Sequence, residues 1–195
     1  MSTIKLIVGL GNPGPNYIDT RHNAGAWFVE QIAESEQSPL KPESKFHGLF
    51  AKVIIANQTV YLLNPTTFMN RSGMAVQAIC QFYKIQPDEI LVAHDELDFD
   101  VGVTKLKVAG GHGGHNGLRD IIQKLGGAKD FVRLRVGIGH PGDKSKVHNY
   151  VLKNPSATDK QKINDSLFDA HRYLEQIVTG DLEKAMNGLH TQETP

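Results

Sequence analysis

Residues 9–25 of the chain read GLGNPGPNYIDTRHNAG, and they connect two regular elements. The apolar run at 4–8 is typical of a buried strand, and the amphipathic run at 24–33 predicts a helix. Because glycine permits unusual backbone angles and proline fixes φ, the connecting composition indicates a rigid turn. Polar side chains held rigidly at the end of a buried strand are well placed for chemistry. The stretch therefore predicts an α/β unit whose turn carries two candidate functional residues, Asn12 and His22.

Composition sets the class of protein. The chain has 195 residues, of which 39% are hydrophobic and 22% are charged, and its formal net charge is zero. We expect residues 1–195 to form a single domain with a sizeable core, ending in a frayed tail at 191–195. The lone Cys80 excludes an internal disulfide framework and a multi-cysteine zinc site. The first largely apolar stretch, counted to the start of GNPG at residue 11, has seven residues, too short for a signal peptide or membrane span, so we expect a cytoplasmic protein.

Hydrophobic periodicity places the remaining elements. Strands are predicted at 48–56, 59–63, 89–93, 103–108 and 131–138, with the first two joined through Asn57-Gln58 as a hairpin. Helices are predicted at 72–83, 118–125, 147–152, 157–178 and 181–189, with Ser72 as the N-cap of the first of these. The strand at 131–138 alternates so that Arg133 and Arg135 share a wet or functional face. Strands that alternate with helices predict an α/β fold, and the hairpin makes its sheet mixed.

Local charge is uneven although the total is zero. Residues 86–100 hold six acids and no base, whereas residues 105–146 hold nine bases and three acids. A basic segment of this kind is either an ordinary solvated face or a local surface for a polyanion. The glycine-rich loop at 110–117 inside the segment favours the second interpretation.

The pattern Gly9-x-Gly11-x-x-Gly14 matches the dinucleotide-binding fingerprint only in part. That fingerprint needs a helix that opens within the glycines and points its first amides at a pyrophosphate. Pro13 and Pro15 remove two of those amides, and the residues that follow carry no clear apolar stripe. We therefore do not expect a nucleotide site here.

A metal site is the second alternative. His112-x-x-His115 has a chelating spacing, and His22 and His94 are further candidate ligands. Neither an HExxH pattern nor a cysteine cluster accompanies these histidines, and the glycines around them indicate a loop shaped for close approach of a ligand. We expect no metal.

Hydrolysis by an activated water is the chemistry that the polar residues favour. An ordinary histidine has a pKa near neutrality, so His22 is the natural general base. Asp95 follows a predicted strand, at the carboxyl end where functional groups gather in open α/β sheets. A carboxylate that binds one imidazole nitrogen leaves the other nitrogen free to accept a proton. No serine lies in a GxSxG elbow, so water is the expected nucleophile.

Three asparagines lie in predicted turns or at a predicted helix start: Asn12, Asn70 and Asn116. An amide offers donors and acceptors without charge, so it can hold a water and an ester carbonyl together. Each asparagine alone is better explained as a helix cap or an Asx-turn. Together with His22 and Asp95 they predict a site.

Five motifs, in one order along nearly the whole chain, closely resemble those of bacterial-type peptidyl-tRNA hydrolases. They are Asn12-Pro13-Gly14-x-x-Tyr17-x-x-Thr20-Arg21-His22-Asn23-x-Gly25, Thr67-Phe68-Met69-Asn70-x-Ser72-Gly73, Asp95-Glu96-Leu97-Asp98, Gly110-x-x-Gly113-Gly114-His115-Asn116-Gly117 and Arg133-Leu134-Arg135-x-Gly137-Ile138-Gly139. The resemblance implies a monomeric, single-domain enzyme with a twisted mixed β-sheet flanked by helices. It implies hydrolysis of the ester between a nascent peptide and the 3′-terminal ribose of tRNA, which recycles tRNA during translation, without a metal or cofactor.

The resemblance also implies residue roles. His22 is similar to the family's general base, Asp95 to the carboxylate that orients it, and Asn12 to the residue near the water and the peptide end. Six further residues match positions that bind the substrate: Asn70 and Asn116 through their amides, Tyr17 and Phe68 at the tRNA 3′ end, and Lys107 and Arg135 at its 5′-phosphate. The aromatic residue of the second motif is often tyrosine, so Phe68 keeps the stacking surface and lacks the hydroxyl.

A non-catalytic tRNA- or nucleotide-binding module on the same scaffold is the alternative from another class. Release of free tRNA from N-blocked aminoacyl-tRNA separates the two, because a module binds without turnover. Sensitivity of that release to a chelator would indicate a metal.

Overall fold

The computed structural model describes residues 2–190, and the expected frayed tail lies outside them. The strands are β1 (Leu6–Gly9), β2 (Lys41–Glu43), β3 (Gly48–Ile55), β4 (Gln58–Pro65), β5 (Ile90–Glu96), β6 (Thr104–Val108) and β7 (Val132–Gly137). The α-helices are α1 (Ala24–Ser35), α2 (Ser72–Tyr83), α3 (Asn116–Lys124), α4 (Val147–Val151), α5 (Ala157–His171), α6 (Leu174–Thr179) and α7 (Leu182–His190). This alternation confirms the α/β class. None of these helices is both long and apolar enough to cross a membrane.

One mixed sheet of seven strands lies at the centre, in the order β2-β3-β4-β1-β5-β7-β6. Strands β4, β1, β5 and β7 are parallel, whereas the two edges of the sheet pair antiparallel. The chain leaves β4 on one side of β1 and returns as β5 on the other side. In open α/β sheets such a reversal opens a crevice at the carboxyl ends of the parallel strands.

Helices cover both faces of the sheet, as a parallel sheet requires. On one face, residues of α1, α5, α6 and α7 pack around the buried Phe28. On the other face, α2 and α3 pack around Phe46 and Phe131. Strand β1 and the first four residues of β5 are apolar because both of their faces are buried.

Two glycines of the opening turn, Gly9 and Gly11, serve close packing. In this described part of the chain, α1 begins only at Ala24, so no helix begins between these glycines as a dinucleotide-binding fingerprint would require. A Cβ at Gly9 would lie 2.6 Å from the carbonyl oxygen of Gly25, and one at Gly11 would lie 2.7 Å from the Asn23 side chain. Only glycine lets the helix and its preceding turn approach the end of β1 this closely.

Three local expectations are wrong. The hairpin turns at Ala56 and Asn57, one residue earlier than expected, and both have the positive φ that a two-residue type I′ turn requires. Ser72 is the first residue of α2, and its hydroxyl donates to a preceding carbonyl instead of capping the helix. The single helix expected at 157–178 is divided into α5 and α6, which are separated by Arg172-Tyr173.

Candidate active site

A cleft of about 1150 Å³ opens beside the carboxyl ends of β1, β4 and β5. All nine residues singled out from the sequence line it: Asn12, Tyr17, His22, Phe68, Asn70, Asp95, Lys107, Asn116 and Arg135. They come from the turn after β1, the segment after β4, the end of β5, the pair β6–β7 and the start of α3. The fold therefore gathers in one place residues that are far apart in the sequence.

His22 and Asp95 are in direct contact. His22 lies in a short 3-10 turn, Arg21–Asn23, directly before α1. Its Nδ1 is 2.9 Å from each carboxylate oxygen of Asp95. Since an ionised carboxylate only accepts hydrogen bonds, Nδ1 donates and carries the hydrogen. Nε2 of His22 is then left as an acceptor.

Asp95 belongs to a strand that is longer than expected. The sequence pattern ends this strand at residue 93, but β5 continues to Glu96 because its pairing with β7 extends to that residue. Asp95 is thereby fixed by the sheet and is 4% exposed. The carboxylate has little freedom to turn away from His22.

His115 is a contact of Asp95 that the sequence reasoning missed. Its Nε2 is 2.8 Å from Oδ1 of Asp95. Its Nδ1 accepts hydrogen bonds from the backbone N–H of Gly117 at 3.1 Å and of Leu118 at 3.3 Å, so the ring caps α3. Since Nδ1 accepts, Nε2 carries the hydrogen and donates to Asp95. The available signal was a histidine close to the start of a predicted helix, where side-chain caps occur.

These side chains fit a hydrogen-bonded cluster better than a metal site. One ligand atom from each of His22, Asp95 and His115 lies within 4.8 Å of the others. However, Nε2 of His115 carries a hydrogen as long as its Nδ1 caps α3, so it has no lone pair for a metal. Nδ1 of His22 also carries a hydrogen, because the ionised carboxylate of Asp95 can only accept.

The protonation of the pair follows from its surroundings. Burial alone would lower the pKa of His22, but the charge of Asp95 and the hydrogen bond to it outweigh burial and raise that pKa. Burial would raise the pKa of the Asp95 carboxyl, yet the two adjacent histidines hold it well below its usual range. Asp95 therefore stays ionised, and it stabilises a proton gained by His22.

Two further groups surround this pair. Oδ1 of Asn12 accepts from the backbone N–H of Met69 at 2.7 Å, so the NH₂ of Asn12 is the part left for other partners. His94 donates from Nδ1 to the carbonyl oxygen of Asp95 at 2.9 Å. Burial, together with the nearby His115, lowers the pKa of His94 to about 3, so this ring is neutral.

The mouth of the cleft carries aromatic and amide side chains. The rings of Tyr17 and Phe68 meet edge to face with centroids 6.2 Å apart, and Phe68 is 57% exposed. Asn70 is exposed in the 3-10 turn before α2. Asn116, the first residue of α3, accepts from Nη1 of Arg119 at 2.8 Å.

Four bases share one face of the pair β6–β7, where Lys105 lies opposite Arg135 and Lys107 lies opposite Arg133. Arg135 donates from Nε to Glu96 at 2.8 Å and lies over the ring of Phe99. Of the two alternatives for this face, wet or functional, the first is wrong for Arg133, which is 2% exposed but is among the residues that line the cleft. Its long side chain turns under the glycine-rich loop and donates to the carbonyl oxygens of 110, 111 and 129.

An ionised carboxylate, an imidazole with a free acceptor nitrogen and several neutral amides share one cleft in this α/β fold. Such a combination is that of a hydrolytic enzyme without a covalent nucleophile. Comparison with known proteins gives the same class. The family model described as peptidyl-tRNA hydrolase matches residues 6–195.

Individual relatives agree over nearly the full length. The chain is 60% identical over 190 residues to the peptidyl-tRNA hydrolase of Pectobacterium carotovorum subsp. carotovorum (strain PC1), covering 97% of each chain. It is 56% identical over 191 residues to that of Marinomonas sp. (strain MWYL1), covering 98% of each chain. The crystal structure of peptidyl-tRNA hydrolase from Acinetobacter baumannii matches with a TM-score of 0.94 and 48% identity, over 98% of this chain and 96% of that one.

The chain belongs to the peptidyl-tRNA hydrolase family. It is therefore an enzyme of the hydrolase class that acts on an ester bond, and the resemblance seen in the five motifs is confirmed. The alternative of a non-catalytic binding module is thereby wrong.

Proposed function

We propose that this enzyme cleaves peptidyl-tRNA at the ester between the nascent peptide and the 3′-terminal ribose, using a water activated by His22. The observation that carries the proposal is the contact of His22 Nδ1 with both oxygens of Asp95 at 2.9 Å. It leaves Nε2 to take a proton in a cleft that is open to substrate. The products are a peptide with a free carboxylate and a tRNA that returns to translation.

The proposed reaction has two proton transfers. As the water oxygen attacks the ester carbonyl carbon, its proton passes to Nε2 of His22. The tetrahedral intermediate then loses the ribose oxygen, which takes the proton back from the imidazolium. Asp95 stays ionised throughout and stabilises the imidazolium. The raised pKa of His22 and the lowered pKa of Asp95 support these roles.

Neutral amides surround the proposed reaction centre. The NH₂ of Asn12, left free by the Met69 contact, is proposed to bind the water or the peptide end of the substrate. Asn70 and Asn116 are proposed to bind the substrate from the rim of the cleft. Uncharged donors suit this task because they do not disturb the ionisation of the catalytic pair.

The tRNA is proposed to lie along the basic and aromatic rim. Tyr17 and Phe68 offer stacking surfaces for unpaired bases at the 3′ end. Lys107 and Arg135 are proposed to bind the 5′-phosphate. Glu96 occupies only Nε of Arg135, so the remaining donors of the guanidinium stay available for a phosphate. Phosphate contacts position a tRNA without reading its sequence, so one enzyme can serve many tRNAs.

The proposal places the enzyme in the cytoplasm, where translation supplies its substrate, as a monomer with a single domain. It includes no metal and no cofactor. The absence of a metal is supported by the hydrogen that His115 holds on Nε2, since this nitrogen then has no lone pair for an ion.

The test measures release of free tRNA from N-blocked aminoacyl-tRNA by the wild type, His22→Ala and a control, His47→Asn. His47 is exposed and lies outside the cleft lining, so its replacement should leave turnover unchanged. We expect His22→Ala to lose about 10²–10⁴ in kcat, the usual contribution of a general base. Near-full turnover in this variant would remove His22 from the role, and loss of wild-type activity on adding a chelator would restore the metal hypothesis.

A further inference from the structure

Asn23 is a buried amide that binds the backbone of Asn12. It is 5% exposed, and it is not among the described residues that line the cleft. Its Oδ1 accepts from the backbone N–H of Asn12 at 2.9 Å, and its Nδ2 donates to the carbonyl oxygen of Asn12 at 3.0 Å. One side chain therefore satisfies both backbone groups of a residue in the proposed site.

These two bonds replace sheet pairing at this point of the chain. Asn12 lies beyond the end of β1, so no neighbouring strand fixes its backbone. Its side chain is fixed separately, by the Met69 N–H on Oδ1. With backbone and amide oxygen both held, the orientation of the Asn12 NH₂ is set before substrate arrives.

Asn23 also lies next to the proposed base. It ends the 3-10 turn that contains His22, and its own N–H donates to the carbonyl oxygen of Thr20 at 2.9 Å. Packing against Gly11 is close, since a Cβ there would be 2.7 Å from Cγ of Asn23. The side chain thus joins the turn that carries His22 to the loop that carries Asn12.

We propose that Asn23 is a positioning residue, whose amide fixes Asn12 relative to His22 so that substrate is bound in a reactive geometry. Asn23 does not touch the substrate, and it acts through Asn12. The inference rests on the proposed role of Asn12 in the cleft.

An amide is the group that this position needs. Aspartate has the same shape and still accepts from the Asn12 N–H, but its second oxygen faces the Asn12 carbonyl oxygen and cannot donate. Alanine removes both bonds and leaves two backbone groups of Asn12 without their partner. The two replacements therefore test the donor and acceptor functions of the side chain separately.

The experiment compares Asn23→Ala and Asn23→Asp with a matched control, Asn64→Ala. Asn64 is also a buried asparagine, and its Nδ2 donates to the carbonyl oxygen of Ala26 at 3.2 Å and not to a backbone group of Asn12. The first measurement is hydrogen exchange of the Asn12 backbone amide by NMR, which does not depend on activity. We expect faster exchange in Asn23→Ala, and wild-type protection in Asn23→Asp and Asn64→Ala.

The second measurement is turnover of N-blocked aminoacyl-tRNA. We expect kcat to fall about 10²-fold in both Asn23 variants, as for a small misplacement of a substrate-binding group, and to stay close to wild type in Asn64→Ala. In Asn23→Ala, which adds no charge, the acid limb of the pH–rate profile should not move, because the contact between His22 and Asp95 remains. In an Asn12→Ala background, Asn23→Ala should cost little or no further kcat.

Any one of three results would overturn the inference. The first is unchanged hydrogen exchange of the Asn12 amide in Asn23→Ala, and the second is an equal loss of kcat in Asn23→Ala and in the Asn64→Ala control. The third is that Asn23→Ala lowers kcat as much in the Asn12→Ala background as it does in the wild type. If Asn23→Ala does not fold, the isosteric Asn23→Asp carries the same double-variant test. If Asn12→Ala alone keeps full turnover, the proposed role of Asn12 fails, and the exchange measurement still decides whether Asn23 holds its backbone.

Discussion

Replacing Asp95 by asparagine should inactivate the enzyme by changing which nitrogen of His22 carries the hydrogen. Oδ1 of Asp95 accepts from both His115 and His22, whereas Oδ2 accepts from His22 alone. His115 remains a donor in the variant because its Nδ1 still caps α3. The oxygen of the new amide must therefore face His115, and its NH₂ must face Nδ1 of His22.

With an NH₂ donating to it, Nδ1 of His22 becomes an acceptor, and Nε2 then carries the hydrogen and cannot take a proton from water. The loss should reach about 10²–10⁴ in kcat, equivalent to about 3–5 kcal/mol of transition-state stabilisation. Because burial then acts on the pKa of His22 without the opposing carboxylate, the acid limb of any residual activity should move to lower pH. In the wild type, that limb should lie above the ordinary value of 6.5, because the folded enzyme raises the pKa of His22.

The assay is kcat for N-blocked aminoacyl-tRNA over about pH 5–9, for Asp95→Asn with and without His115→Ser. Serine can still cap α3 but no longer donates to residue 95, so the new amide is free to turn its oxygen toward His22. The double variant should therefore recover about tenfold or more over Asp95→Asn alone, and His115→Ser by itself measures any cost to the helix. Wild-type kcat in Asp95→Asn, or no recovery in the double variant, would refute the tautomer argument.

Three further predictions concern the rim, the core and the turn. Lys107→Ala should weaken the binding of tRNA that carries a 5′-phosphate, and the slope of log K against log salt concentration should become smaller by about one. Binding of tRNA without that phosphate should be unaffected. Equal losses of affinity for the two tRNAs would refute the assignment. The pKa of His94 is about 3 in the folded protein and 6.5 in the unfolded chain. Between these two pH values, the unfolded chain therefore binds one proton more than the folded protein. The free energy of unfolding should fall by about 1.4 kcal/mol per pH unit as the pH drops through this range. The measurement is the free energy of unfolding by urea at several pH values. In His94→Asn this free energy should fall by about 1.4 kcal/mol less per pH unit than in the wild type. Gly11→Ala should cost about 1–3 kcal/mol of stability through its 2.7 Å clash with Asn23, whereas a methyl group at Gly111 meets nothing within 4 Å and should cost little.

The sequence predicts the parts of the site that rest on local signals. Glycines and prolines mark the opening turn, and a carboxylate after an apolar strand marks Asp95, so the pairing of His22 with Asp95 follows from the general rule for open α/β sheets. Sheet pairing explains why β5 extends beyond its apolar run, since hydrogen bonds to β7 hold polar residues in the strand as well. This part of the fold depends on tertiary contacts and not on the pattern.

The missed contacts have the same origin. Nothing in the sequence distinguishes Asn23 from an ordinary turn asparagine, because its partner is the backbone of a residue on another segment. Period-two alternation predicts the face of Arg133 correctly, but not that its long side chain turns inward to bind a loop. The apolar stripe at 157–178 continues across Arg172-Tyr173, so periodicity gives no sign of the break there.

The ring of His115 has a consequence for how the enzyme loses activity on heating. One nitrogen secures the first turn of α3 and the other donates to Asp95, so fraying of that turn frees the imidazole to change tautomer or rotate away. Local melting of a few residues would then disturb the carboxylate of Asp95 at temperatures below those that unfold the sheet. Thermal inactivation should precede the cooperative unfolding transition, and the gap between the two temperatures reports the strength of a single helix cap.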